Sequence, residues 1–226
     1  MAGSLRKNET ELTQERSYTW ADLRSWPKDE LWELIDGVPY AMTTPSTEHQ
    51  RISGNLFSLF HAFFSGKPCE VFHAPLGVFL PKGKETLEET RNVVIPDLFV
   101  ICDEKKLEPR GCRGAPDLIV EILSPSSGSR DQLLKLNLYE KNGVEEYWIV
   151  DPVLETIAVF KLEPGKKRFG RPCYYDKTMG IGSSQFPGLK INLAQIFLSR
   201  TVKEPSPAPF TTAPKTKKPS KKQKSF

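Results

Sequence analysis

With 226 residues, 38% of them hydrophobic, the chain is long enough to build one domain with a real core that folds unaided. No stretch approaches the roughly eighteen consecutive apolar residues of a membrane span. The opening MAGSLRKNETELTQER has no apolar run to serve as a signal peptide, so the expectation is a cytoplasmic protein with no membrane partner. The net charge of +4 is uneven, because seven lysines against Glu204 put +6 on residues 201–226 and leave residues 1–200 at −2.

In chain order, residues 1–16 are polar and read as a flexible N-terminus. Thr19, with Asp22 three residues later, has capping-box spacing and opens a short helix that Pro27 closes. LWELIDGVPYAM follows, two short runs about Asp36-Gly37, a dipeptide suited to the tight turn of a β-hairpin. From Ser46 the period changes: Ile52, Leu56, Leu59, Phe60 and Phe63 recur at helical spacing until Gly66 and Pro68 stop them. EVFHAPLGVFL and NVVIPDLFVIC read as two strands joined by a polar loop, and PDLIVEIL as a third. Helical spacing returns over RDQLLKLNLYEKNG, with Gly143 placed as the C-cap. EYWIVD and TIAVFKL then form strands either side of an Asp151-Pro152 turn.

This order predicts an α/β or α+β domain over residues 17–200, a sheet with helices packed on it. Residues 201–226, with five prolines and seven lysines, read as a disordered tail suited to non-specific phosphate binding. The four cysteines form no CxxC pair and the three histidines are scattered, so reduced, partly buried thiols are expected and a zinc site is not.

The chemistry concentrates in acidic residues set among apolar ones. Glu121 sits between Val120 and Ile122, where an unpaired carboxylate would cost several kcal/mol if sealed from water. Asp117 shares its face, but at about 3.3 Å per residue the two lie roughly 13 Å apart and cannot share a metal ion. Asp97 belongs to the preceding strand. If the two strands pair, Asp97 and Glu121 come within about 5 Å between backbones, close enough to ligate one hard cation such as Mg²⁺ or Mn²⁺. The plainer alternative has Asp97 and Asp117 capping strand entries after proline while Glu121 pairs with Lys135 or Arg130. Two acids on neighbouring apolar strands, followed by a helix that carries Lys135, favour a site.

These residues, with ELIDG (33 to 37), GAPDLIVEILSPSS (114 to 127), the Asp131, Lys135, Tyr139 spacing and GVEEYWIVDP (143 to 152), closely resemble the Uma family of restriction endonucleases. That family belongs to the PD-(D/E)XK nuclease superfamily. The resemblance covers roughly Tyr18 to Phe197 and implies a restriction-endonuclease-like fold, a mixed central sheet flanked by helices and preceded by the N-terminal hairpin. It also implies metal-dependent phosphodiester cleavage, most simply of DNA. Carried over residue by residue, Asp97 and Glu121 match the motif acids, with the Ile122 carbonyl as a further metal ligand. The motif lysine is displaced: Leu123 stands in its place, and Lys135 on the next helix is its replacement. Glu33, His49, Asp117, Asp131 and Tyr139 are accessory candidates. A homodimer would be the simplest way to cut both strands of a duplex, and a nucleic-acid-binding protein without cleavage is the alternative that Leu123 suggests.

Overall fold

Pro75 and Pro96 decide how the chain is shared between two sheets. Neither has an N–H to give a ladder, so each of the two long strands expected from the sequence is broken where its proline falls. The first becomes β3 (Glu70–His73) and β4 (Gly77–Phe79), the second β5 (Val93–Val94) and β6 (Leu98–Ile101). β3 and β6 pair antiparallel in one sheet, while β4 and β5 pair antiparallel in the other. This computed structural model describes residues 17–27, 29–124 and 129–198, the side chains of 129–131 excepted. The N-terminus and lysine-rich tail expected at 1–16 and 201–226 lie outside the described residues.

The helices and hairpin follow the expected order. α1 (Trp20–Leu23) opens with a capping box between Thr19 and Asp22. β1 (Trp32–Ile35) and β2 (Val38–Ala41) turn at Asp36 and Gly37, whose φ angles of 52° and 80° are the left-handed values a two-residue hairpin turn demands. α2 (Thr47–Phe64) buries Ile52, Leu56, Phe60 and Phe64 along one stripe. Between β6 and the next long strand lies a small hairpin of β7 (Leu107–Glu108) and β8 (Gly111–Arg113), too short to show in the sequence pattern. Then come β9 (Leu118–Ile122), α3 (Ser129–Asn142), β10 (Glu146–Asp151) and β11 (Thr156–Lys161). β12 (Cys173–Asp176) and the β13–β14 pair (Gly180–Gly182, Lys190–Asn192) are the last strands among the described residues and had not been expected.

The central sheet has the order β12-β11-β10-β9-β6-β3, and the second has β2-β1-β5-β4-β8-β7. The central sheet is mixed: β9 and β10 run parallel, joined through α3, and its other pairs are antiparallel. Alternation along β9 splits the core in two. Leu118, Val120 and Ile122 face α2, whereas Ile119 packs with Leu138 and Tyr139 of α3 and with Val78 and Val94 of the second sheet. Glu121 shares the parity of Ile119, so its carboxylate faces the α3 layer. Among the described residues no helix is long and apolar enough to cross a membrane.

One expectation is corrected. Cys69 and Cys102 are joined as a disulfide, where reduced thiols had been expected. The reason is register: Glu70 is opposite Ile101 in the β3–β6 ladder, so the next step outward sets positions 69 and 102 against each other. Cys112 is a buried free thiol and Cys173 an exposed one.

Candidate active site

The β6–β9 ladder places Leu98 opposite Val120, and one further step brings Asp97 opposite Glu121. The two acids are therefore neighbours on adjacent strands. Asp97 is fixed there because its Oδ2 accepts the Ile122 N–H at 2.7 Å. α3 crosses above Glu121 and presents two residues one turn apart on the same helical face. Lys135 places its Nζ 3.1 Å from Glu121 Oε1, and Tyr139 donates its hydroxyl to the same oxygen at 2.6 Å.

Two more elements close on this cluster. From β1 in the second sheet, Glu33 sets its Oε1 3.0 Å from Lys135 Nζ, and that oxygen also accepts the Ile95 N–H at 2.8 Å. From the other face comes His49, held in the first turn of α2 because Ser46, the N-cap, accepts its backbone N–H at 3.1 Å. The His49 Nε2 lies 3.3 Å from Asp97 Oδ2, while its Nδ1 is buried with no hydrogen-bond partner among the described residues.

Glu33, His49, Glu121 and Lys135 are each between 5% and 9% exposed. Three carboxylates thus converge on one ammonium and one imidazole, and negative charge is in excess even when the imidazole is protonated. The acid–base balance of the cluster follows from its burial and its crowding of negative charge. Burial drives the Glu121 pKa up to about 8; the Lys135 charge opposes this, Asp97 and Glu33 add to it, and the Tyr139 hydrogen bond opposes it. Burial by itself would lower the His49 pKa, but the hydrogen bond and charge of Asp97, the Ile122 backbone and the Glu121 charge together raise it. The Tyr139 phenol is pushed well above its ordinary value by burial and by Glu121. Burial first, and neighbouring negative charge second, hold protons on Glu121 and Tyr139.

Asp97, Glu121, Lys135, Tyr139, Glu33 and His49 are thus brought together, with Ile122 beside them. Asp117 is not: it lies at the far end of β9, where its Oδ2 accepts the Cys102 N–H at 2.8 Å. The Asp131 side chain falls outside those described. Leu123, two residues past Glu121, gives its N–H to the Val150 carbonyl at 2.8 Å and continues the sheet. Tyr139 is both a buried aromatic, edge-on to Tyr147 with centroids 5.0 Å apart, and a hydrogen-bond donor to the site. The Ile122 and Ile95 N–H groups are essential to this geometry and are invisible in a sequence, since every residue but proline has one.

Among the described residues no three His, Cys, Asp or Glu side chains already stand as a metal-ligand set. The donors nevertheless suit a hard cation, for they are oxygens carrying surplus negative charge. Both hydrogen bonds to Glu121 named above fall on Oε1. His49, through Asp97 and the Ile122 backbone, lies against two of the three groups expected to hold the ion, and its Nδ1 is left without a hydrogen-bond partner among the described residues.

A family described as "Putative restriction endonuclease", Uma2, matches residues 20–194. The chain belongs to the Uma2 family. All six clustered side chains lie within the matched span. A curated Synechocystis protein of uncharacterised function is 32% identical over 132 residues, 58% of this chain and 66% of that one, so the match spans just under two thirds of the relative. A crystal structure from Anabaena variabilis, titled a "putative nuclease" of the DUF820 group, superposes with a TM-score of 0.64 at 18% identity, covering 79% of this chain and 97% of that one. That likeness concerns the fold, which is restriction-endonuclease-like, as the Uma2 blocks had implied.

Proposed function

We propose that the protein is a metal-dependent endonuclease that hydrolyses phosphodiester bonds in DNA. The observation that carries this reading is the position of Lys135. Although Leu123 occupies the motif position, an ammonium still lies 3.1 Å from Glu121, beside an aspartate paired in register. The Uma2 membership supports the same chemistry.

Asp97, Glu121 and the Ile122 carbonyl would hold Mg²⁺ or Mn²⁺. Such an ion supplies Lewis-acid polarisation of the phosphate and acidification of water. The chain's own groups do the rest. The Ile122 N–H holds the Asp97 carboxylate in its rotamer, and the Tyr139 hydroxyl does the same for Glu121. Lys135 offers a fixed positive charge where negative charge develops on the phosphoryl oxygens, in surroundings that exclude most water. Two copies, one per strand, would give double-strand breaks, and a single copy would give nicks.

Ion binding should be linked to protons. The Glu121 pKa is raised, so between the ordinary carboxylate range and about 8 the metal-free folded protein keeps a proton that the unfolded chain has released. Stability of the metal-free protein should accordingly fall as pH rises through that window. Mg²⁺ must displace the proton, so its affinity should climb by up to about tenfold per pH unit from pH 6 to 8 and then level off. Calorimetry in buffers of differing ionisation enthalpy checks this, and a flat affinity over that range would contradict it.

The deciding experiment is incubation of supercoiled plasmid and short duplexes with the full chain in 5–10 mM Mg²⁺ or Mn²⁺, with EDTA as control. Nicked or linear product that disappears with EDTA is expected. A second reading, motivated by Leu123, is a binder of nucleic acid on the same fold. Salt-sensitive binding with no product in either metal would establish that reading and overturn the first.

A further inference from the structure

Lys135 faces a conflict that Glu33 is placed to resolve. In the geometry above, its ammonium is shared between two carboxylates, Glu121 Oε1 at 3.1 Å and Glu33 Oε1 at 3.0 Å. A divalent cation taken up by Asp97 and Glu121 competes for the charge of Glu121 and repels the ammonium. Lysine is a compact charge on a flexible four-carbon stem, so a second, fixed carboxylate serves as an anchor that holds the ammonium when Glu121 turns to the cation. Glu33 provides that anchor from a different part of the fold. Its strand belongs to the second sheet, where Leu34 pairs with Val93, and the hairpin end of that strand is pinned by Asn92 Oδ1, which accepts the Asp36 N–H at 2.7 Å. The Ile95 N–H, at 2.8 Å, fixes the same Glu33 oxygen that meets Lys135. No bond that Glu33 makes to Ile95 or Lys135 depends on Asp97.

We propose that Glu33 is a positioning residue that keeps the Lys135 ammonium at the site when Glu121 is committed to a cation, and is not itself a metal ligand. This rests on the nuclease reading for its consequence in catalysis, but the arrangement itself can be observed without any cleavage. Glu33 keeps its bond to Ile95, Lys135 keeps its contact to Glu33 while Glu121 turns to the cation, and the ammonium is retained beside the reacting phosphate.

The test uses full-length protein with ¹⁵N and ¹³C side-chain labels, titrated with Mg²⁺ alone. In the wild type, the Glu121 carboxyl carbon should shift on Mg²⁺ addition, the Glu33 carboxyl carbon should hold its position, and the Lys135 ammonium signal should persist. Glu33→Gln keeps the size of the side chain and a carbonyl oxygen for Ile95 but removes the charge. In that variant the ammonium signal of the Mg²⁺-loaded protein should be lost to exchange, Mg²⁺ affinity should stay within about threefold, and kcat should fall ten- to hundredfold with KM little changed. A Glu33 carbon that shifts together with Glu121, or Mg²⁺ affinity that falls in step with kcat, would make Glu33 a ligand and overturn the proposal. So would an ammonium signal lost from the Mg²⁺-loaded wild type or unaltered in the variant. If Glu33→Gln does not fold, the wild-type titration decides by itself. If the wild type fails to cleave, the nuclease reading falls while the spectra still judge the role of Glu33.

Discussion

Asp97→Ala is expected to reduce Mg²⁺-dependent cleavage by about a thousandfold or more, the scale seen when a group central to charge stabilisation is removed. Asp97 does two things at once. It supplies a carboxylate opposite Glu121, and its Oδ2 satisfies the Ile122 N–H at 2.7 Å while facing His49 Nε2 at 3.3 Å. Alanine ends both, so a stability cost of about 1–3 kcal/mol accompanies the lost activity, from a donor left without its acceptor. Asp97→Asn separates the roles. Its amide oxygen can still accept from Ile122, which should keep Tm close to wild type, yet its charge is gone and with it most of the attraction for a divalent ion. Asparagine should therefore be nearly as inactive as alanine and much more stable. Cleavage by Asp97→Asn within tenfold of wild type would remove Asp97 from the chemistry and leave it a structural cap.

The parts of the fold that depend on local pattern were legible. α2 declared itself through a stripe three and four residues apart, and the hairpin through Asp36-Gly37, because both signals lie within a few residues of the structure they specify. Strands of two to four residues, such as β7, β8, β12, β13 and β14, are too short to display an alternation. The division of two long strands at Pro75 and Pro96 between separate sheets is a tertiary event, and so is the pairing of Cys69 with Cys102.

The site divides in the same way. That Asp97 and Glu121 are neighbours could be reasoned from strand geometry, since pairing of two consecutive strands leaves few choices. That Glu33 reaches Lys135 from another sheet could not be, and only the resemblance to Uma2 blocks drew it into the candidate list. Nor does an acid in an apolar strand declare its purpose. Glu146 is 1% exposed at the start of β10, more buried than Glu121, yet its oxygens accept the Trp148 indole N–H at 2.7 Å and the Ser183 hydroxyl at 2.8 Å. Those bonds tie the chain near β13 to the central sheet. What distinguishes Glu121 is the company of two further carboxylates and an ammonium, which no window of sequence contains.

Lys135→Met should then have the largest effect on stability of any change at the site, and an effect that depends on metal. Methionine matches the stem of lysine and removes only the ammonium, so Glu33 and Glu121 are left facing each other across a buried gap. Removing one partner of a buried ion pair costs about 3–5 kcal/mol, which for a domain of this size lowers Tm by on the order of 10 °C. Two conditions should return part of that loss. At pH 6 the raised pKa of Glu121 lets it hold a proton, which removes one of the opposed charges, so the variant should lose less relative to wild type at pH 6 than at pH 9. Millimolar Mg²⁺ or Mn²⁺ should stabilise the variant more than it stabilises wild type, because the ion restores the charge that the mutation deleted. Cleavage should nevertheless fall by about a hundred- to a thousandfold even with metal bound, since the ion cannot also serve as the ammonium beside the phosphate. Thermal melts at two pH values with and without metal, read alongside cleavage rates, test all three parts. A variant as stable as wild type at pH 9, or one that metal stabilises no more than wild type, would show that Lys135 does not balance the buried carboxylates.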